Sequence, residues 1–168
     1  MTHDPAWLNT LPPDEAAKEL LQCCGSKRWA REMAERRPYQ SLETLIRTAN
    51  EVWSSLSPDD WLEAFRSHPK IGEKKAAESV STQSREWSGQ EQAGVSKASQ
   101  ETIDSLAALN RAYEEKFGFI FIICATGKTS EEMLAALRER LEHDQAAELQ
   151  IAAAEQSKIT ELRLRKLI

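Results

Sequence analysis

The spacing of apolar residues along the chain predicts one helix after another. Ser41 can cap a helix that runs to about Leu56. Its inner stripe has the i, i+3, i+4 spacing of an amphipathic helix: Leu42, Leu45, Ile46, Ala49 and Trp53. A second stripe predicts a long helix over 97–117, and Gly118 can end it. Its members are Ile103, Leu106, Asn110, Tyr113 and Phe117.

Capping residues and prolines set the boundaries of the remaining predicted helices. Ser26, Ser57 and Thr129 are typical N-cap residues, and Pro58 suits the first helical position after Ser57. Residues 67–83 are predicted to form a loop with room for one short helical turn at 73–77. The other predicted helices span residues 12–24, 26–37, 57–66, 84–92, 129–142 and 144–168.

One segment, Phe119 to Ala125, has the character of a strand and finds no partner of similar character elsewhere in the chain. A single strand cannot form a sheet, so we interpret it as a buried extended connector. Its backbone groups then need partners, which side chains, water or a planar amide-rich ligand can supply. The predicted fold class is therefore all-α: a single-domain bundle over residues 1–168, with about eight helices and one buried connector.

Composition and charge exclude several classes of function. The chain has 168 residues, the length of one ordinary domain, and its net charge of −5 disfavours binding to nucleic acid. Its longest apolar run is far shorter than the roughly 20 residues of a membrane helix, and it opens with no secretory signal. We therefore expect a cytoplasmic protein that binds neither membrane nor nucleic acid.

The cysteines and histidines predict neither a disulfide framework nor a metal site. The three cysteines, Cys23, Cys24 and Cys124, are an odd number with two adjacent members, and we interpret them as free thiols. Neither they nor the three histidines, at positions 3, 68 and 143, show the spacing of zinc ligands.

His68 is the first candidate for chemistry. Pro69 pushes it out of helical geometry, just past the end of the predicted helix 57–66. Its ordinary pKa of about 6.5 suits a proton carrier, although a single histidine can equally be structural.

Two further constellations have both a functional and a structural interpretation. Ser88, Glu91 and Gln92 lie three and four residues apart, so one helical face would present a hydroxyl, a carboxylate and an amide, or simply be solvated. Arg163 shares an inward stripe of the last helix with Gln156 and Thr160. If the guanidinium is buried there, it needs an anionic or acceptor partner, which can be a substrate or a structural carboxylate. Alternatively, the long side chain reaches the edge of the protein and its charge stays in water.

These segments together resemble the decarboxylases of 2-oxo-4-hydroxy-4-carboxy-5-ureidoimidazoline (OHCU), which act in urate degradation. The resemblance covers nearly the whole chain. It is carried by eight short motifs in order: Cys23-Cys-Gly-Ser26, Arg37-Pro38, Asp60-Trp-Leu-Glu-Ala-Phe65, His68-Pro-Lys-Ile-Gly72, Ser88-x-x-Glu91-Gln92-Ala-Gly94, Leu109-Asn110, Phe117-Gly-Phe119 and Leu162-Arg163-Leu164.

The resemblance implies an enzyme without metal or cofactor, a homodimer, that converts OHCU into (S)-allantoin and CO₂. It implies that His68 is the catalytic proton donor, with Glu91 and Arg163 as the other catalytic residues. The substrate-binding positions that it implies are Pro69, Ser88, Gly89, Gln90, Glu91, Gln92, Phe121, Ile122, Ile123, Cys124, Ala125 and Arg163.

Two other functions are compatible with the same residues. One is an enzyme on the same scaffold that acts on a related ureido or imidazolone acid. The other is a non-enzymatic helical module that binds a partner through its tryptophan-rich first four helices.

Overall fold

The computed structural model describes residues 4–71 and 81–168, with only the backbone of residues 96 and 97. In those ranges the protein is all-α, with no strand. It contains a 3₁₀ turn at Ala93–Lys97 and nine α-helices: α1 (Pro5–Thr10), α2 (Pro13–Leu21), α3 (Lys27–Glu35), α4 (Leu42–Ser55), α5 (Pro58–Arg66), α6 (Thr82–Glu91), α7 (Gln100–Phe117), α8 (Ser130–Arg140) and α9 (Gln145–Leu167).

The predicted all-α class and most of the helix boundaries are confirmed. Ser26, Ser41 and Thr129 each accept a hydrogen bond from the first turn of the helix that follows, and Thr129 and Glu132 form a full capping box. Helix α1 was not predicted, because its six residues bury only Leu8 and show no apolar stripe. The predicted turn at 73–77 lies outside the described residues.

The chain divides into two compact units, so its single-domain organisation stays a prediction. One unit comprises residues 1–64 and 157–168, and the other comprises residues 65–156. No helix in the described ranges is long and apolar enough to cross a lipid bilayer.

Tryptophans form much of the core of the first unit. Trp29 is fully buried on α3, and its indole N–H donates to the carbonyl of Ala49 at 3.1 Å. Trp61 is also buried, and its indole N–H donates to the carbonyl of Trp53 at 2.9 Å. These indoles are satisfied inside the core, so they offer no exposed surface for the partner-binding module considered above.

An aromatic cluster forms the core of the second unit. The rings of Tyr113 and Phe117 on α7 lie 4.6 Å apart, and Phe119 and Phe121 from the segment after α7 pack against Tyr113. Gly118 makes this return possible, because it ends α7 with a φ of 79°, a conformation that favours glycine. The segment Phe119–Ala125, called the connector below, is buried at all but Ile120, as predicted.

A buried ion pair holds the connector against the helices of this unit. Arg140, the last residue of α8, binds the carboxylate of Glu148 on α9, and that carboxylate is fully buried. Tyr113 also donates its hydroxyl proton to Glu148 at 2.6 Å, and the Arg140 guanidinium donates to the carbonyl of Ile122. The guanidinium lies 4.6 Å from the centre of the Phe121 ring, a cation–π contact. One cation therefore joins α7, α8, α9 and the connector.

We expect Arg140→Met to lower the free energy of unfolding by about 3–5 kcal/mol, because it leaves the buried Glu148 carboxylate without its cation. Urea denaturation followed by circular dichroism measures the change. Arg138→Met is the matched control on the exposed side of α8 and should change the stability by less than about 0.5 kcal/mol. Equal effects of the two substitutions would contradict a structural role for the pair.

Candidate active site

The loop that carries His68 is attached to its unit at several points. The backbone N–H of His68 donates to the carbonyl of Phe65 at 3.2 Å, and Pro69 is buried. Next along the loop, Lys70 pairs with Glu114 of α7 at 2.8 Å. The carbonyl of Ile71 accepts a hydrogen bond from the buried Asn110 side chain at 3.1 Å. Helix α7 therefore fixes the chain on the far side of the histidine.

The imidazole of His68 contacts a polar residue of α9. Its Nε2 lies 2.6 Å from Oε1 of Gln156, and the ring itself is half-buried. Gln156 is fully buried, although its side chain is polar. A buried amide needs hydrogen-bond partners, and the imidazole is one of them.

Side chains bind three backbone groups of the connector. The carbonyl of Ile122 is bound by Arg140, and the carbonyl of Cys124 accepts from Lys128 Nζ at 2.7 Å. The N–H of Cys124 donates to Oε1 of Glu155 at a long 3.4 Å. For these groups the side-chain alternative of the sequence prediction is confirmed. The buried amides of Phe121 and Ile122 make no hydrogen bond within the described ranges.

The segment Ser88–Gln92 places its polar residues on two sides of the chain. Ser88 and Glu91 are buried at the end of α6, Gly89 and Gln90 are exposed, and Gln92 is half-buried as the C-cap. Ser88 and Glu91 therefore do not form a solvated face, which was the structural alternative for this segment.

Electrostatics place the carboxylates of Glu91 and Glu155 near the connector. Burial raises the pKa of the Cys124 thiol; the Lys128 ammonium opposes this shift, and Glu155 and Glu91 add to it. Two carboxylates, one ammonium and one thiol therefore lie close enough to influence each other. The thiol is kept protonated, which disfavours a nucleophilic role for Cys124.

Arg163 lies in the other compact unit, and its side chain is only 3 % exposed. Its Nη1 donates to the carbonyl of Gln22 at 3.3 Å, and its charge acts on the thiol of Cys24. By contrast, Arg165 is exposed and pairs with Glu161. The predicted inward direction of Arg163 is confirmed, and the alternative in which it reaches the surface is wrong.

Neighbouring residues of one helix hold two of the predicted segments. Glu155 binds the connector and Gln156 binds His68, so α9 brings the histidine loop and residues 121–125 together within residues 65–156. Sequence reasoning placed Gln156 only on an inward stripe and missed Glu155. The available signal was a pair of polar residues in the long, alanine-rich inner part of α9.

Acidic, cysteine and histidine side chains do not gather into a group of three or more suited to a metal within residues 4–71 and 81–168. The predicted absence of a metal and of a cofactor stays a prediction.

Comparison with known proteins identifies one family. The OHCU decarboxylase family model matches residues 9–165. The uric acid degradation bifunctional protein TTL of Arabidopsis thaliana is 44 % identical over 150 residues, which are 89 % of this chain and 46 % of that protein. The 2-oxo-4-hydroxy-4-carboxy-5-ureidoimidazoline decarboxylase of Haloferax volcanii is 29 % identical over 94 % of this chain and 91 % of its own length.

A crystal structure described as OHCU decarboxylase in the presence of (S)-allantoin superposes with a TM-score of 0.75 at 41 % sequence identity. The match covers 88 % of this chain and 95 % of that one. The chain spans less than half the length of the first curated relatives that it matches, which are bifunctional proteins: 46 %, 30 % and 27 % of them.

Substitution by alanine should change the free energy of unfolding in opposite directions at two glycines near Glu91. A Cβ at Gly94 would lie 2.3 Å from the carbonyl oxygen of Lys128, so we expect Gly94→Ala to lower the free energy of unfolding by about 1–3 kcal/mol. A Cβ at Gly89 meets nothing within 4 Å inside α6, so Gly89→Ala should raise it by about 0.5–1 kcal/mol. Urea denaturation of both variants tests the pair, and a stabilised Gly94→Ala protein would contradict the close approach.

The cysteines should resist alkylation in the folded protein. Burial raises the pKa of Cys24 to about 12 and also raises that of Cys124, so little thiolate forms at pH 8. We expect iodoacetamide at pH 8 to modify both at least about tenfold more slowly than free cysteine. Peptide mass spectrometry follows each site, and urea-unfolded protein, in which all three cysteines should react, is the control. Rapid modification of native Cys124 would show that its thiol ionises readily.

Proposed function

Since the chain belongs to the OHCU decarboxylase family, we propose that it converts 2-oxo-4-hydroxy-4-carboxy-5-ureidoimidazoline into (S)-allantoin and CO₂. The observation that carries the proposal is the convergence of three predicted segments within residues 65–156. The His68 loop and the connector are held by adjacent residues of α9, and the Glu91 carboxylate acts on the connector at Cys124.

Two features of this substrate would be recognised: its planar, amide-rich ring and ureido group, and its negative charge. The ring and the ureido group carry carbonyl oxygens that suit the buried amides of Phe121 and Ile122, which make no hydrogen bond to the described part of the chain. The substrate is an anion, and the family resemblance assigns its carboxylate, or the charge that develops from it, to Arg163. A guanidinium suits both, because it can bind two oxygens at once.

The proposed reaction needs one bond broken and one proton added. When the C–C bond to the carboxylate breaks, CO₂ leaves and the electron pair passes into the neighbouring C=N bond of the ring. This gives an enol with its negative charge on the ring nitrogen. His68 then donates a proton to the adjacent ring carbon, which bears the ureido group, on one face, so the product is one-handed. The proton of the hydroxyl moves to the ring nitrogen as the hydroxyl becomes a carbonyl. Glu91 orients the imidazole or the substrate during the proton donation by His68.

We further propose that the protein acts as a homodimer in the cytoplasm, with no metal or cofactor. The ring of the substrate supports the last point, because it accepts the electron pair that a cofactor supplies in many other decarboxylations.

The experiment makes OHCU in place, from urate with uricase and the hydrolase that follows it. Circular dichroism then records (S)-allantoin against the slow racemic background, with no metal or cofactor added. We expect fast formation of one enantiomer. No acceleration by folded protein would overturn the proposal and favour a related ureido or imidazolone acid, for which the same residues then guide screening.

His68→Gln should lower the rate of (S)-allantoin formation by about 10²–10⁴, the usual contribution of a general acid. His143→Gln is the matched control, since His143 is partly exposed and pairs with Glu148 rather than with a predicted site residue. It should keep most of the activity. Full activity of the His68→Gln protein would remove His68 from the mechanism.

A further inference from the structure

We propose that Gln156 is a positioning residue for His68: its side-chain oxygen holds the Nε2–H of the imidazole, so that Nδ1 carries the transferable proton. The proposal deepens the function proposed above and rests on it for the identity of the reaction. The part that concerns the ring nitrogens is tested without any substrate.

The geometry of the contact assigns the proton. Oε1 of Gln156 lies 2.6 Å from Nε2 of His68, and an amide oxygen only accepts hydrogen bonds. Nε2 must therefore carry a hydrogen in both states of the ring. The neutral ring is then the Nε2–H tautomer, and the proton that is gained and lost lies on Nδ1.

Burial makes the contact hard to exchange for water. Gln156 is 0 % exposed, in the middle of the long helix α9, so its amide cannot turn into solvent to satisfy its hydrogen bonds. The backbone of His68 is fixed separately, by its bond to the carbonyl of Phe65 and by the buried Pro69. Backbone and ring are thus held at two points, which restricts rotation of the imidazole.

Within the described ranges, several charged side chains near the loop have partners of their own. Lys70 on the loop pairs with Glu114 of α7, and Glu155 of α9 accepts from the N–H of Cys124. Lys128, beyond the connector, donates to the carbonyl of Cys124, and Arg66 at the end of α5 is exposed. Gln156 differs from these side chains because its amide is neutral, so it binds Nε2 without placing a full charge beside it.

The choice of glutamine can be tested against glutamate, which has nearly the same shape. A carboxylate at this position would pair with the imidazolium and favour the charged ring. We expect Gln156→Glu to raise the pKa of His68 by at least about one unit. Gln156→Met removes the acceptor at similar volume and should lower that pKa, because the imidazolium loses the hydrogen bond from Nε2–H to the amide oxygen.

The experiment uses NMR of the ¹⁵N-labelled full chain without substrate. The ring nitrogens of His68 are assigned by their loss in the His68→Gln protein. In the unsubstituted protein at alkaline pH, Nε2 should have a pyrrole-type shift and Nδ1 a pyridine-type shift. The reverse pattern would overturn the proposal, and this measurement needs no variant at position 156 to fold.

Gln145→Met is the matched control, because Gln145 lies on the same helix and donates to the carbonyl of Phe117. It should leave the titration of His68 unchanged. If Gln156→Glu does not raise the pKa of His68, or if Gln145→Met shifts it as much, Gln156 does not position the ring.

The pH dependence of turnover gives the functional readout. A proton donor is active below its pKa, so the alkaline limb of kcat/KM should move upward in Gln156→Glu with the pKa measured by NMR. Gln156→Met should lower kcat by about tenfold or more with a smaller change in KM, since it disturbs orientation rather than binding. If the His68 pKa measured by NMR rises in Gln156→Glu but the alkaline limb of kcat/KM does not move, His68 is not the group whose ionisation limits turnover, and the catalytic part of the proposal is overturned. Absence of any turnover by the unsubstituted chain would instead overturn the proposed function and leave the tautomer measurement intact.

Discussion

The buried ion pair between Arg140 and Glu148 is the constraint on which the second unit depends. Taking two charges out of water is costly, so each must be surrounded by partners before the site is stable. Tyr113 supplies a hydroxyl to the carboxylate, and the carbonyl of Ile122 accepts from the guanidinium. Burial and the hydrogen bond to Glu148 raise the pKa of Tyr113, which keeps that hydroxyl a donor.

This pair also explains how a connector without a sheet can be buried. A strand in a sheet exchanges hydrogen bonds along its whole length, whereas residues 121–125 take theirs one at a time from Arg140, Glu155 and Lys128. Three charged side chains are needed for this: Arg140 of α8, Glu155 of α9, and Lys128, which lies between the connector and α8. As a result, the buried amides of Phe121 and Ile122 make no hydrogen bond to the described residues. In the interior of a sheet, neighbouring strands would bind these amides.

Helix α9 links this framework to the candidate chemistry. Glu148 completes the ion pair, and two turns later Glu155 and Gln156 bind the connector and His68. Because a helix is stiff, the spacing of these side chains along α9 sets the spacing of the groups they hold. Residues that contact no substrate in the proposal therefore have a direct effect on where the imidazole lies.

The sequence by itself determined the elements and their inner faces, as Ser41, Thr129 and the stripe ending at Phe117 show. These features depend on neighbours within a few residues, so periodicity and capping are enough to find them. It also located the histidine loop, because Pro69 prevents His68 from continuing a helix. Only the tertiary structure decided what the buried polar residues bind, and it buried some that the sequence did not single out. Arg140, Glu148 and Glu155 look in sequence like ordinary polar helix residues, and each is buried because its partners come from other elements of the fold.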